Sequence, residues 1–283
     1  MSNKSYLSTY AKSFNWAGFF LPKKIFFKCS DLYDFCRTVD NIADENGDLD
    51  IKKKKFLDFK NNFINKNYNN QIIKQMWALI EHFGISIEII KDLFDGIESD
   101  LKEIVQLNSN KDLLIYSYRV AGTVGLMMAK ILNVQNENAL KSAIDLGIAM
   151  QLTNISRDVV EDSKNNRYYI SHNFKSIRET LKTADLFYES SFAGIKEIPF
   201  SFRFSILVAR RIYKKIGHNI LKKENIENYN NSGKIYVTNF GKIIQTILSI
   251  YDLIRLLLIK PQDHLRDKEH QIINEEINLN ERF

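Results

Sequence analysis

Two pairs of aspartates repeat the same spacing in distant parts of the chain. Asp44 follows Asp40 by four residues, and Asp162 follows Asp158 by four. Residues four apart lie on one side of an α-helix, so each pair points two carboxylates in one direction. With 34 acidic residues among 283, roughly four such pairs arise by chance. The residues around the pairs therefore decide whether they matter.

Apolar residues fill the other faces of both segments. The polar positions form one stripe around each pair, namely Tyr33, Arg37, Asp40 and Asp44 in the first segment and Gly147, Gln151, Asn154, Asp158 and Asp162 in the second. This pattern predicts two largely buried helices, each with one polar seam. Because a buried carboxylate is costly without a partner, we expect both seams to line one cavity. The alternative is a solvated helix face, the commoner origin of a single carboxylate pair.

Four converging carboxylates repel one another, so the arrangement favours a bound divalent cation. Oxygen ligands favour a hard ion, and we predict Mg²⁺, with Mn²⁺ as a substitute. The predicted metal ligands are Asp40, Asp44, Asn154, Asp158 and Asp162. Because Mg²⁺ usually completes its shell with water and phosphate oxygens, the expected ligand is a diphosphate. Arg37 and Arg157 lie one helical turn or less from the acids, where they can bind phosphate.

Longer stretches of the chain resemble the squalene and phytoene synthases. The matching segments are YAKSF at 10–14, LP at 21–22, LYDFCRTVDNIADE at 32–45, YSYRVAGTVGLMM at 116–128, DLGIAMQ at 145–151 running into the second acid pair, NRYY at 166–169, ARRIY at 209–213, IG at 216–217 and GKIYV at 233–237. The similarity covers about residues 6–245, and its middle block looks most like bacterial phytoene synthases. Two positions depart from the pattern: Asn41 stands where many members have a second acid, and Lys234 where many have arginine.

The resemblance implies head-to-head joining of two geranylgeranyl diphosphates, through a cyclopropylcarbinyl diphosphate, to phytoene, a step of carotenoid biosynthesis that uses Mg²⁺ and no NADPH. The residues that it places in catalysis are Asp40, Asp44, Asp158, Asp162, Tyr33 and Tyr116. Those that it places in substrate binding are Lys12, Ser13, Arg37, Gln151, Asn154, Arg157, Arg167, Tyr169, Tyr213 and Lys234. Such chemistry needs a neutralised leaving diphosphate and an apolar, aromatic chamber that keeps a carbocation from water.

Three other functions stay open. A presqualene, squalene or dehydrosqualene synthase acting on farnesyl diphosphate differs in substrate length, which depends on the depth of the cavity. A non-catalytic relative serving as an assembly or membrane-associated binding protein would usually have lost motif acids, and all four are present here. A terpene cyclase shares the metal chemistry, but it would not explain the middle and distal similarity.

No residue pattern indicates a nucleophilic, zinc or nucleotide site. The 5 histidines are scattered without ligand spacing, so we expect surface or structural roles for them. Cys29 and Cys36 are expected to be reduced thiols. No glycine-rich phosphate loop precedes a lysine and a serine or threonine. Gly122 and Gly125 fall within a helical pattern, where they either pack helices or let the substrate pass closely.

The composition predicts one all-α domain over residues 1–283, and the resemblance makes it an isoprenoid-synthase-type helical bundle with a central cavity. The chain is 45% hydrophobic, and its 3 prolines and 11 glycines permit long helices. The predicted helices cover 5–20, 22–45, 50–67, 69–83, 86–107, 111–133, 137–163, 175–195, 200–223 and 234–258. Pro22 and Pro199 stand where helices could begin, and Pro261 where one should have ended.

The charge balance is mildly basic, with 40 basic and 34 acidic residues and a net charge of +6. The excess is spread along the chain, so we do not expect nucleic-acid binding. A peripheral membrane surface is a better candidate partner, because the expected substrates are apolar and anionic lipids attract a basic face. The apolar stretch 243–259 contains Gln245, Asp252 and Arg255 and is too short to cross a bilayer. With no secretory leader at its start, the chain is expected in the cytoplasm, with peripheral attachment to the inner face of the membrane as an option.

Overall fold

The computed structural model describes residues 12–45, 47–260 and 263–283, without the side chain of Lys12. The α-helices are α1 (Lys12–Gly18), α2 (Lys23–Asp44), α3 (Leu49–Ile64), α4 (Gln71–Phe83), α5 (Ile87–Glu98), α6 (Asn110–Ser117), α7 (Thr123–Ile131), α8 (Glu137–Lys164), α9 (Phe174–Gly194), α10 (Phe200–Leu221), α11 (Ile226–Asn231), α12 (Asn239–Leu258) and α13 (Asp267–Asn274). The other elements are a π-helical turn (Tyr118–Gly122), two strands, β1 (Val105–Gln106) and β2 (Arg167–Tyr168), and 3₁₀ turns at Ile195–Glu197 and Leu279–Glu281. The predicted all-α class is confirmed.

Short polar side chains and prolines begin many of these helices. The Asp48 carboxylate accepts two N–H groups from the first turn of α3, and the Asn136 amide oxygen accepts one from α8. Such caps satisfy backbone donors that have no partner within the helix. Pro22 and Pro199 directly precede α2 and α10, as the sequence predicted. The prediction for Pro261 lies outside the described residues.

The predicted helix over 86–107 is wrong in its second half, because α5 ends at Glu98. Ile97, Leu101 and Val105 recur every fourth residue, which is the spacing of a helix face. All three are buried. After α5, however, Leu101 is buried from a turn and Val105 from strand β1, which pairs in parallel with β2. The burial pattern was therefore correct and the backbone conformation was not.

Several other boundaries differ from the predictions. The helix predicted over 111–133 is interrupted by the π-helical turn. The helix predicted over 234–258 begins only at Asn239, because the Thr238 hydroxyl caps it. The helix predicted over 5–20 is described only as α1. Helices α11 and α13 were not predicted; at six and eight residues, they are too short to show a clear helical period.

Helix α8 lies at the centre of the molecule, where it packs against α7, α9, α10 and the π-helical turn. Two glycines allow this close approach. A Cβ atom at Gly125 would lie 2.2 Å from the Ala143 carbonyl oxygen, and one at Gly147 would lie 2.2 Å from that of Ala121. The contacts of Gly125 therefore support a role in helix packing, and Gly125 also lines the cavity described below.

The segment that follows α12 is held to the core by buried polar contacts. Arg282 donates from Nε and Nη2 to the Asp92 carboxylate, at 2.9 Å each, and the Tyr118 hydroxyl donates to the same carboxylate. Two histidines of this segment contact α8, as described below. None of the helices formed by the described residues is long and apolar enough to cross a lipid bilayer.

Candidate active site

A cavity of about 340 Å³ lies between the central helices. Tyr33, Arg37 and Asp40 line it from α2, and Gln151 and Asn154 line it from α8. Part of each polar seam therefore lines the same cavity, whereas Asp44, Asp158 and Asp162 are not among the residues that line it. Most of the remaining wall is apolar or carries small side chains, as a binding site for a hydrophobic molecule requires.

Of the first acid pair, Asp40 lines this cavity and Asp44 does not. Arg37 Nη1 is 2.5 Å from Asp40 Oδ2 and 3.8 Å from Asp44 Oδ2, so one guanidinium bridges both acids. The side chains of Asp40 and Asp44 are 44% and 37% accessible. The two carboxylates are thus only partly buried, less than the sequence pattern predicted. Desolvation and the charge of Asp44 raise the pKa of Asp40 to about 6, against the opposing effect of Arg37.

The second acid pair continues the α8 wall beyond Asn154. Arg157 Nε donates to Asp158 Oδ1 at 2.9 Å, and Asp158 is only 16% accessible. Lys234 Nζ lies 3.6 Å from the same oxygen. Desolvation and the charge of Asp158 raise the pKa of Asp162 to about 7. Each pair thus carries one carboxyl group whose ionisation is unfavourable in the absence of added positive charge.

A further carboxylate, that of Asp100, interacts electrostatically with both acid pairs. The sequence did not single it out. The hydroxyls of Tyr116 and Tyr169 each donate to its carboxylate at 2.8 Å, and their rings stack with centroids 4.7 Å apart. The charge of Asp100 contributes to the raised pKa values of both Asp40 and Asp162. In the sequence, the only signal was an acid between the apolar residues Ile97 and Leu101.

Sequence comparison covers most of the chain. The family model described as squalene/phytoene synthase matches residues 7–174, more than half of the 283 residues. The chain belongs to the squalene/phytoene synthase family.

Relatives of known name and structure support this membership. The chain is 30% identical over 242 residues to a phytoene synthase of Rhodobacter capsulatus, covering 76% of this chain and 71% of the relative. A phytoene synthase of Cereibacter sphaeroides is 28% identical over 249 residues, covering 76% and 70%. Among solved structures, a dehydrosqualene synthase in complex with ligand superposes with a TM-score of 0.73 at 25% identity, covering 89% of this chain and 95% of the other.

The donor atoms of this family member fit a hard divalent cation. The two acid pairs and the Asn154 amide offer oxygen ligands only. Asn154 Oδ1 is buried and has no hydrogen-bond partner in the part of the chain that the structure describes. A buried acceptor without a partner is costly, and positive charge would also favour ionisation of Asp40 and Asp162. The donor types therefore suit Mg²⁺, although no three of the motif aspartates have oxygen atoms within 4.8 Å of one another among the described residues.

The remaining predicted residues lie at different depths. Tyr213 lines the cavity, with its ring centre 5.0 Å from that of Phe14, a residue that was not among the predicted site residues. Tyr169 lies behind Tyr116, so it supports the cavity wall through its bond to Asp100. Ser13 is half-buried on α1. The prediction for the side chain of Lys12 lies outside the described part of the structure.

The two cysteines lie against the cavity without the properties of nucleophiles. Both are free thiols, and Cys29 and Cys36 line the cavity wall. Burial raises the pKa of each thiol to about 12. Because the thiolate is the reactive form, both side chains stay protonated and unreactive at neutral pH. This agrees with the prediction of reduced thiols.

One cluster of potential metal ligands lies apart from the motif acids. Asp145, His264 and His270 are the only described group of three or more such side chains whose ligand atoms lie within 4.8 Å of one another. Both histidine Nε2 atoms lie 2.7 Å from Asp145 oxygens. The Arg266 N–H donates to His264 Nδ1, which places the proton of that ring on Nε2, where it bonds to Asp145. The hydrogen bonds to Asp145 fit the expectation of structural histidines for these two, while His270 Nδ1 is buried and has no hydrogen-bond partner among the described residues.

Proposed function

We propose that this protein joins two geranylgeranyl diphosphates head to head, through a cyclopropylcarbinyl diphosphate, to give phytoene for carotenoid biosynthesis. The supporting observation is that one apolar cavity is bordered by both acid-bearing helices, with basic side chains between and beside the acids. Such a site can hold a charged diphosphate at one end and a long hydrocarbon chain along its length. The names of the bacterial relatives favour phytoene as the product.

The basic residues would bind and orient the diphosphates. Arg37, Arg157, Arg167 and Lys234 all lie within 4 Å of a motif aspartate. When Mg²⁺ is bound by the aspartates and Asn154, it would neutralise the charge of the departing diphosphate. The guanidinium groups can add hydrogen bonds to phosphate oxygens, which strengthen as the allylic C–O bond breaks.

The cavity wall would protect the carbocation that remains. Tyr33, Tyr116 and Tyr213 line the cavity, and Phe14 lies beside them. Aromatic faces stabilise cations, and the apolar side chains keep out water that would otherwise capture the cation. Desolvation raises the pKa values of all three tyrosines, so their hydroxyls remain neutral in the working range.

The balance of atoms separates phytoene formation from squalene formation. Joining two C20 units to phytoene forms the central carbon framework, releases two diphosphates and loses two protons. No hydride is added, so NADPH is not needed. Squalene formation instead ends in hydride transfer from a reduced nicotinamide.

The alternative is that the same site acts on farnesyl diphosphate, as a presqualene, squalene or dehydrosqualene synthase. The similarity to the dehydrosqualene synthase structure favours this candidate. A non-catalytic assembly or binding protein is a further candidate, although the four motif acids are retained. We place the activity in the cytoplasm, with its apolar product delivered to a membrane surface.

Purified protein incubated with Mg²⁺ and either C15 or C20 diphosphate, with and without NADPH, tests these proposals. Mass analysis of extracted hydrocarbon should show a C40 product from the C20 substrate without NADPH. A C30 product from the C15 substrate alone would replace geranylgeranyl by farnesyl diphosphate. No turnover of either substrate, with folded protein and Mg²⁺ or Mn²⁺ present, would contradict an enzymatic role.

A further inference from the structure

Helix α12 has its polar residues on the inside and its apolar residues on the outside. Its buried positions include Lys242, Gln245, Ser249 and Asp252. Asp252 is paired with Arg211 of α10 through both carboxylate oxygens. A helix on the surface of a water-exposed protein normally shows the opposite pattern. The inverted pattern indicates that something other than water covers the outer face.

The outer face of α12 is a continuous apolar surface. Its large exposed side chains are Phe240, Ile243, Ile244, Ile247, Leu248, Ile250, Tyr251, Ile254, Leu257 and Leu258. The most accessible are Leu258 at 79% and Phe240 at 71%. Single exposed apolar residues are common, but a patch extending over a whole 20-residue helix is typical of an interaction surface. We call these ten side chains the outer face of α12.

The charges on this helix favour a negatively charged partner. Its only charged residues are Lys242, Asp252 and Arg255. Lys242 and Asp252 are buried, so Arg255 is the one exposed charge of α12, with its guanidinium 4.9 Å from the Phe192 ring centre of α9. The exposed Lys260 follows the helix. A second copy of the chain, pairing through the same face, would offer no exposed carboxylate of α12 to Arg255 and Lys260. An anionic lipid surface would offer them negative charge.

The outer face is also close to the apolar cavity. Lys196 Nζ donates to the carbonyl oxygen of Ile259 at 2.5 Å and contacts that of Leu257. Its neighbours Ile195 and Ile198 line the cavity. The end of α12 and the wall of the cavity are therefore joined by one short turn. A hydrocarbon that leaves the cavity near this turn would meet the outer face of α12 rather than bulk water.

We propose that the outer face of α12 docks onto the surface of an anionic lipid bilayer, with its apolar side chains among the acyl chains and Arg255 and Lys260 at the headgroups. This is the geometry of an interfacial amphipathic helix, which lies in the membrane plane without crossing it. The benefit for catalysis rests on the proposed function, because only an enzyme with apolar substrates and products gains from this position. The docking itself rests on the helix alone.

Vesicle flotation with purified full-length protein tests the proposal. Vesicles of phosphatidylglycerol and phosphatidylcholine at 3:7 are compared with vesicles of phosphatidylcholine alone. The triple variant Ile247→Ser, Ile254→Ser, Leu258→Ser removes apolar contacts from the outer face. Its matched control, Leu57→Ser, Ile64→Ser, Ile104→Ser, changes the same residue types at similarly exposed positions elsewhere. We expect the first variant to bind the anionic vesicles about tenfold or more weakly than the wild type, and the control to bind as the wild type does.

A charge variant tests whether Arg255 and Lys260 bind the anionic headgroups. Arg255→Glu with Lys260→Glu should weaken binding to anionic vesicles by about tenfold while changing binding to phosphatidylcholine much less. Lys53→Glu with Lys54→Glu, which changes the net charge equally on α3, should leave binding nearly unchanged. If both charge variants weaken binding equally, the attraction is due to overall charge, and the assignment to α12 is wrong.

Two measurements separate the possible failures. Turnover in detergent micelles should be the same in wild type and in the Ile247, Ile254, Leu258 variant, since none of these side chains lines the cavity. Vesicle binding without turnover would leave the docking surface intact and contradict the proposed function. Wild-type protein that does not float, or sedimentation velocity showing a dimer that the triple variant loses, would overturn the lipid proposal; the dimer would assign the face to a second copy.

Discussion

Arg167 on β2 donates a hydrogen bond from Nη1 to Asp44 Oδ1 at 2.6 Å, across 123 residues of sequence. Its Nη2 donates to the carbonyl oxygen of Ala43. The charge of Arg167 also lowers the pKa values of both Asp40 and Asp162, although neighbouring acids and desolvation raise them further. One arginine therefore acts on both acid pairs, which makes it a positioning residue for their carboxylates.

Replacing Arg167 should weaken diphosphate binding more than it changes the fold. We expect Arg167→Gln to raise KM by about tenfold or more, because a charge-assisted hydrogen bond to phosphate is lost. The KM of Arg167→Lys should lie between those of the wild type and Arg167→Gln, since lysine keeps the charge but cannot donate two parallel hydrogen bonds. Steady-state kinetics measure KM and kcat separately. Arg178→Gln, on the exposed side of α9, is the matched control, and a KM unchanged in Arg167→Gln would refute the assigned role.

The aspartates should matter through the metal rather than through stability. We expect Asp40→Asn and Asp158→Asn each to slow diphosphate release by about 100-fold or more, because each removes a ligand that carries negative charge. Both variants should still fold, as far-UV circular dichroism would show, because asparagine has nearly the same shape as aspartate. Asp58→Asn, on the exposed face of α3, is the control. Wild-type rates in either variant would exclude that residue as a metal ligand.

The pH dependence of stability tests the raised carboxyl pKa values. Asp40 and Asp162 have folded pKa values of about 6 and about 7, above their ordinary value of 3.8. The folded state therefore binds these protons more tightly than the unfolded state. Their contribution to stability is fully present below pH 3.8 and is lost as the pH rises to about 7.

Two melting experiments test this predicted loss of stability with rising pH. Between pH 5 and pH 8, metal-free wild type should lose more melting temperature than the variant Asp40→Asn, Asp162→Asn, which cannot ionise at these positions. Mg²⁺ should raise the melting temperature of the wild type more at pH 8 than at pH 5, because protons compete with the metal for the carboxylates. A Mg²⁺ effect that is equal at both pH values would contradict metal binding by these acids.

The sequence was most informative where all residues of a pattern lie on one helix. The polar seams on α2 and α8 have a helical period against an apolar background, so both their conformation and their approach to one cavity could be predicted. Asp100 could not be found this way, because its importance depends on Tyr116 and Tyr169, which come from other elements. Only the folded chain brings those hydroxyls to its carboxylate.

The contacts of the C-terminal region also could not be predicted, because they join residues that are far apart in the sequence. His264 and His270 are six residues apart and far from Asp145 in the sequence, so their spacing gave no indication of a shared site. The helix prediction past Glu98 failed for a related reason: burial every fourth residue was real, but strand β1 supplied part of it through its pairing with β2. Local periodicity cannot distinguish a helix from a turn and a strand that bury the same side chains.

The length of the cavity should determine which chain length is accepted. Ala143 on α8 lines the cavity and lies 15 residues before Asp158 in the same helix, which corresponds to about 22 Å along the axis. We expect Ala143→Phe to fill this distant part and to lower turnover of C20 diphosphate by about tenfold or more, with a smaller effect on C15 diphosphate. The ratio of the two kcat/KM values measures this. An equal loss on both substrates would mean that Ala143 does not sense chain length.

The Asp145 cluster should stabilise the fold without taking part in the reaction. The Asp145 carboxylate is completely buried and accepts hydrogen bonds from His264, His270 and Ser190. Burial alone would raise its pKa, but the histidine contacts outweigh burial and lower it. Asp145→Ala should therefore lower the free energy of unfolding by about 3–5 kcal/mol, because it leaves buried donors without their acceptor.

Urea unfolding at several pH values checks both the size and the sign of this effect. Because the folded pKa of Asp145 is lowered, its contribution is present above the ordinary carboxyl pKa of 3.8 and is lost as the pH falls through the folded value. The difference between wild type and Asp145→Ala should thus be largest near neutral pH and shrink in acid. Asp263→Asn, at an exposed position in the same segment, should have little effect. A difference that grows towards low pH would show that the carboxylate is protonated in the folded protein.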